Sequence, residues 1–192
     1  MTDIRKFAIA ALCSLPVLWS GMAAAQDADG NDTPGDWRVE HYQEFGIWKS
    51  ICDERGEGET FKQRCYIRYV DVFSPRPKFA AVFTFVFEKD RKTAFQYAFE
   101  RGTVYADDGL RIDRDGATSW KASDTCRTGP NCLIENAAEV EETLAAFAGG
   151  GELVQIFKDR HGVDRTLKWD LTGFDKALAD YKTESAKRNL LD

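Results

Sequence analysis

Residues 82–99 read Val-Phe-Thr-Phe-Val-Phe-Glu-Lys-Asp-Arg-Lys-Thr-Ala-Phe-Gln-Tyr-Ala-Phe. In an extended chain successive side chains point to opposite faces, so Phe83, Phe85 and Phe87 share one face and Val82, Thr84 and Val86 the other. Phe95, Tyr97 and Phe99 repeat the alternation after the polar turn Glu88 to Thr93. Two such runs joined by a short polar segment predict a β-hairpin. Alternating aromatics of this kind fill the core of a sandwich. The sharper reading makes the two aromatic rows a platform or pocket for a ligand.

The same period extends outward. Arg64 to Phe73 alternates with Cys65, Ile67 and Tyr69 on one face, ahead of the breaker Ser74-Pro75-Arg76-Pro77. Phe45 to Cys52 is a further strand candidate, Trp37 to Phe45 a possible first strand, and Asp53 to Thr60 a charged loop. Leu110 to Asp113 and Thr118 to Lys121 flank Arg114-Asp115-Gly116, a short-range turn signal. Glu152 to Asp159 and Asp164 to Leu171 flank the turn Arg160-His161-Gly162, with Leu167, Trp169 and Leu171 on one face.

Two helices complete the chain. Asn136 is placed to cap the first, with Glu139 three residues on, and Val140, Leu144 and Phe147 form its apolar stripe. Gly149 to Gly151 ends it. Thr172 is expected to cap the second, with Phe174, Leu178 and Tyr181 as its stripe and a polar tail over 183–192. Many short strands with two appended helices predict a mainly β, antiparallel, sandwich-like fold over residues 45–182.

The first 25 residues stand apart. Arg5 and Lys6 precede the apolar run Phe7 to Trp19, which ends in Met22-Ala23-Ala24-Ala25. A basic start, a short apolar run and small residues before the break predict a cleaved secretory signal peptide. Residues 26–44 then form a flexible leader and the first strand. No later run is long enough to cross a bilayer as a helix. The expected location is the periplasm or the outer surface.

The whole chain has 192 residues, 26 Lys and Arg, 32 Asp and Glu, and a net charge of -6. That acidic balance argues against nucleic acid, whose phosphates demand a basic face. Hydrophobic residues at 43% supply a core and exclude wholesale disorder.

Of the five cysteines, Cys13 leaves with the signal peptide. Cys52, Cys65, Cys126 and Cys132 remain, an even set that reads as disulfides in an exported chain. Four cysteines allow three pairings, of which neighbour pairing, Cys52–Cys65 with Cys126–Cys132, is the simplest. The spacings suit neither a zinc site nor a C-x-x-C redox motif.

Catalytic signals are sparse. His41 and His161 are the only histidines. His161 falls in a turn and His41 beside the leader, so both read as solvated rather than paired with a nucleophile. There is no H-E-x-x-H, G-x-S-x-G or P-loop. Asp107-Asp108-Gly109, Asp113 and Asp115 are explained by turn chemistry without a cation. No catalytic residue, cofactor or metal ligand is therefore expected, although a carboxylate pair of hydrolase type needs only two acids at a fixed separation. The reading that follows is a non-enzymatic interaction protein, with Trp37, Tyr42 and Trp120 as candidate anchors for a protein or envelope partner. Its rival is a small-molecule binding module lined by the aromatic rows.

Three ordered stretches sharpen this. Phe45-Gly46-x-Trp48 leads to Cys52 and Cys65; Leu110-Arg111-Ile112-Asp113 with Gly116 leads to Cys126 and Cys132; a glycine-terminated helix is followed by Val154 to Asp159, Gly162, Leu167 and Leu171-x-Gly173-Phe174. Together they resemble the invasion-associated locus B family of bacterial exported proteins, over roughly Phe45 to Leu178. Ile47 stands where that family usually has an acidic residue. The resemblance implies a periplasmic or envelope-exposed, mainly β domain with both local bridges. It also implies a role in host-cell invasion for pathogenic members, and it supplies no catalytic residues.

Overall fold

The computed structural model describes residues 36–74, 80–99, 110–114, 116–121, 131–159 and 161–191. The expected signal peptide, most of the leader, Cys126 and the Asp107-Asp108 pair lie outside them.

The chain runs β1 (Arg38–Phe45), β2 (Trp48–Glu57), β3 (Thr60–Ser74), β4 (Ala80–Lys89), β5 (Lys92–Phe99), β6 (Leu110–Arg114), β7 (Ala117–Lys121) and β8 (Asn131–Ile134), then α1 (Ala137–Ala148), β9 (Glu152–Lys158), β10 (Asp164–Asp170) and α2 (Phe174–Lys187). Two antiparallel sheets result, one in the order β1-β2-β3-β4-β5-β8 and one in the order β10-β9-β6-β7. The mainly β, sandwich-like expectation holds.

Two strand boundaries differ from the sequence reading. Phe45 to Cys52 is not one strand, because Gly46 takes a φ of +66° and Phe45 pairs with Trp48 across a tight turn. The charged loop from Asp53 to Thr60 is mostly ladder. Arg55 faces Lys62, Gly56 faces Phe61, and Glu57 faces Thr60. That hairpin extends beyond its neighbours and leaves Phe61 67% exposed at its end.

Register decides which side of the large sheet is inside. Val82, Thr84 and Val86 are buried, in line with Phe99, Tyr97 and Phe95 of β5. Phe83, Phe85 and Phe87 fall in line with Ala98, Gln96 and Ala94 on the other face. The two aromatic rows therefore lie on opposite sides of one sheet. They cannot line one pocket together, which corrects that part of the ligand-module reading.

The inner face packs against both helices and the small sheet. Trp48 is its centre. Its ring meets Phe174 at 4.9 Å, Phe147 at 5.8 Å and Trp169 at 6.3 Å, each tilted or edge-on. Trp169 also donates its indole N–H to Asp71 at 2.7 Å, tying β10 to β3. Cys52 and Cys65 face each other in register on this inner side and are bridged. Cys132 is buried on the same side, in line with Tyr97; its expected partner Cys126 lies outside the described residues.

Asn136 caps α1 as expected, its side chain accepting from the amides of Ala138 and Glu139. Thr172 does not cap α2. Gly173 occupies that position at a φ of +91° without a side-chain cap, and Asp170 accepts from the Thr172 amide instead. The expected polar tail from residue 183 is helical to Lys187, with Glu184 and Ser185 buried. Arg91, in the β4–β5 turn, donates to the backbone carbonyls of Asn189 and Leu191.

Candidate functional site

On the outer face of the large sheet, strand pairing places Tyr42, Ile51, Tyr66, Phe87 and Ala94 in one line across β1 to β5. The next line holds Glu44, Lys49, Arg68, Phe85, Gln96 and Leu133. Phe83 follows one step on, in line with Val70, and its ring lies 6.3 Å from that of Phe85. Each phenylalanine of the row is half-buried. A face of rigid aromatic side chains interleaved with cationic ones has the composition of a protein-recognition surface.

At the β1–β2–β3 end the face is organised around a buried carboxylate. Asp53 is 1% exposed. Arg64 grips it through two nitrogens, at 2.6 and 3.1 Å, and the Tyr66 hydroxyl donates to it at 3.1 Å. A buried charge requires such pairing. The Arg64 guanidinium lies 3.8 Å from the centre of the Trp37 ring and 5.4 Å from that of Tyr66. Arg55 approaches the Trp37 ring at 4.9 Å. A guanidinium between two rings and a carboxylate is fixed in position with little entropy left to lose.

Between this station and the phenylalanine row lies a cavity of about 400 Å3 bounded by Arg64, Tyr66, Arg68, Phe85, Phe87 and Gln96. That size suits a peptide side chain or a small ligand.

The proposed anchors fall in three places. Trp37 is half-buried beneath two arginines. Tyr42 is on the same outer face, donating to Glu44 at 2.5 Å with Lys49 5.7 Å from its ring centre. Burial, then the Glu44 carboxylate, holds its phenol above the ordinary value. Trp120 belongs to β7 of the other sheet, in register with Ile112. Arg64, Tyr66, Phe85 and Phe87 were not among the expected anchors. The available signal was that both faces of β4 are apolar, more than one core needs.

His161 is exposed in its turn, as read. His41 is not a leader residue. It is part-buried within β1, with Nε2 2.7 Å from an Asp180 carboxylate oxygen and Nδ1 4.0 Å from one of Glu184. Glu184 also accepts from Lys187 and Arg188 at 2.5 and 2.6 Å. Those two hydrogen bonds hold its carboxyl at about 2, against an ordinary 4.5. The imidazole thus meets carboxylates of α2, and no hydroxyl or thiol contact to it is seen among the described residues. Asp113, weighed as a cation ligand, is paired with Arg111 at 3.0 Å.

No protein family matches the chain by sequence, and no curated protein does. Among solved structures, the crystal structure of invasion associated protein B from Bartonella henselae is similar in fold. It is 14% identical, with a TM-score of 0.50, over 77% of this chain and 98% of that one. No described helix is long and apolar enough to cross a membrane.

Proposed function

We propose that this chain is an exported envelope protein of the invasion-associated locus B type, acting by non-covalent recognition rather than catalysis. The partner is a protein or envelope component, bound on the outer face of the six-stranded sheet. The observation that carries the reading is the Phe83–Phe85–Phe87 row turned away from the core and aligned with the Trp37–Arg64–Tyr66 stack. Large rigid side chains around an arginine held in place by a buried carboxylate gain most from burial at an interface. The shared fold with invasion associated protein B and the Cys52–Cys65 bridge are compatible with export. A role in host-cell invasion is the finer form of the proposal.

The cavity beside Phe85 and Phe87 favours a second reading, a periplasmic small-molecule binder using the same face. One experiment separates the two. The oxidised protein and its Phe85→Ala/Phe87→Ala variant are used to capture partners from an envelope fraction, and both are screened for thermal stabilisation by small molecules. The interaction reading expects a protein or envelope component held by the parent and lost from the variant. Stabilisation by a small molecule alone transfers the site to the second reading. A partner held equally by both proteins removes the outer face from the function.

A further inference from the structure

We propose that a protein partner engages the outer face through an extended segment carrying an aspartate or glutamate and, two residues away, a large apolar side chain. The carboxylate docks on Arg64, and the apolar group enters the cavity beside Phe85 and Phe87. This specifies the partner of the recognition face and rests on that reading.

Arg64 is held ready for a second carboxylate. Asp53 takes its Nε and Nη2 at 2.6 and 3.1 Å. A guanidinium carries five N–H groups, so the end-on edge formed by Nη1 and Nη2 keeps donors beyond those that Asp53 uses. The Arg64 side chain is 39% exposed, whereas that of Asp53 is 0%. The Trp37 ring at 3.8 Å and the Tyr66 ring at 5.4 Å fix the guanidinium further. A guanidinium edge matches a carboxylate through two parallel hydrogen bonds, and a donor already fixed in place has little freedom to lose on binding.

The surrounding charge selects an acidic segment. Between Lys49 and Arg55 on β2 and between Lys62 and Val70 on β3, the charged residues of the outer face are Lys49, Arg55, Lys62, Arg64 and Arg68 against Asp53 alone. Lys49 is partly answered by Glu44 of β1 at 3.7 Å. The whole chain has a net charge of -6, so this concentration of cations runs against its balance. Such a patch steers a negatively charged segment to one face and rejects basic ones.

The spacing sets the motif. Arg64 stands in line with Asp53, Tyr66 with Phe87 in the next line, and Arg68 with Phe85 in the one after. Neighbouring lines are two residues apart along a strand, about 6.7 Å. An extended segment lying along the strands has the same period. With its carboxylate over Arg64, its next side chain on that face falls over the line of Tyr66 and Phe87. The cavity of about 400 Å3 lies there, bounded further on by Arg68, Phe85 and Gln96. An anionic lipid headgroup would offer Arg64 the same charge. The net negative chain is repelled by an anionic bilayer, whereas a single acidic segment meets only the cationic face.

The test is selection of short random peptides on the oxidised protein, with Phe85→Ala/Phe87→Ala as the counter-selection. The expected binders carry Asp or Glu two positions from Leu, Ile, Phe or Trp. One of them is synthesised with blocked ends and titrated calorimetrically. Replacing its carboxylate by the amide should weaken binding roughly 10- to 100-fold, the value of a charge-assisted hydrogen bond. Moving its apolar residue by one position, which turns it to the opposite face, should weaken binding as much. Arg64→Lys keeps a charge beside Asp53 but loses the fork, and should bind the peptide at least 10-fold more weakly. Circular dichroism checks that this variant is folded, and the peptide changes test the motif without touching the protein. Binders without an acidic residue, an affinity indifferent to the amide, or no binder that the double variant loses would each overturn the proposal. So would attachment to phosphatidylglycerol vesicles that the peptide does not displace. Capture from the envelope fraction that still depends on Phe85 and Phe87 would then preserve the recognition face and remove only this ligand.

Discussion

Gly46 and Gly173 each sit against the other's turn. A Cβ on Gly46 would come within 2.8 Å of the Thr172 carbonyl oxygen, and one on Gly173 within 2.8 Å of the Phe45 carbonyl oxygen. Both have positive φ, +66° and +91°. The β1–β2 turn and the entry to α2 are thus pressed together backbone to backbone, with Trp48 and Phe174 packed edge-on just beyond. Two short motifs far apart in the chain, Phe45-Gly46-x-Trp48 and Leu171-x-Gly173-Phe174, are the two halves of one contact.

Gly173→Ala should therefore destabilise the protein by about 2 kcal/mol or more, combining left-handed strain with a backbone clash. Gly58→Ala makes the control, since it has a similar φ of +65° and open space around it, and should cost only about 1–2 kcal/mol. Urea unfolding curves at constant m-value would measure the difference. Equal losses at the two positions would remove the clash from the explanation.

Arg64→Ala and Trp37→Ala touch the same station but differ in what they leave behind. Removing Arg64 takes both of its hydrogen bonds from the buried Asp53 and leaves it the Tyr66 hydroxyl. The expected loss is about 3 kcal/mol. Removing Trp37 takes a ring from a guanidinium that keeps its carboxylate, and should cost about 1 kcal/mol or less. Trp37→Ala is accordingly the better probe of partner binding. It should weaken capture while the melting temperature hardly moves.

The β4–β5 hairpin, the strand pairs around the turns at 114–116 and 160–162, and both helices were legible because alternation and helical spacing are written locally; the joining of those pairs into one sheet through β6 and β9 was not. Which face of β4 is inward was not legible, since Val82, Thr84 and Val86 are no more apolar than Phe83, Phe85 and Phe87. The helices and the small sheet decide it, and they arrive from distant sequence. The β2–β3 arm read as a loop because Gly56 and Gly58 punctuate it and charge surrounds them. Cross-strand pairing supplies what propensity lacks there. His41 was misread for a similar reason, because its partner Asp180 is 139 residues away. The end of α2 was missed because Glu184, Lys187 and Arg188 look solvated, while their (i,i+3) and (i,i+4) pairs sustain the last turn.

The Cys52–Cys65 bridge spans 13 residues and is wholly inside the core. On the chain-entropy account it contributes about 3 kcal/mol by restricting the unfolded chain. Cys52→Ala/Cys65→Ala should lower stability by about that amount, to be read from denaturant unfolding. With both sulfurs shielded by packing, reductant should act on the native protein only at the rate of unfolding. Bridge reduction much faster than unfolding, measured by thiol trapping, would contradict the burial.

Acid should loosen the last turn of α2 in a definite window. Glu184, held at about 2 by Lys187 and Arg188, has a folded value below its ordinary 4.5. Its ion pairs therefore contribute fully above about pH 4.5 and are lost as the pH falls toward 2. Glu54 is shifted the same way, chiefly by its hydrogen bond from Arg38, and Asp159 by Arg165 and the amides of His161 and Val163, against the opposing effect of burial. All three carboxylates make the folded state bind fewer protons than the unfolded one, so stability must fall with acid. Glu184→Gln should cost stability at pH 7 yet flatten the decline below pH 4.5, because the group that titrates is gone. The measurement is unfolding free energy against pH for both proteins. Parallel curves would show that Glu184 is not the residue through which acid reaches the helix.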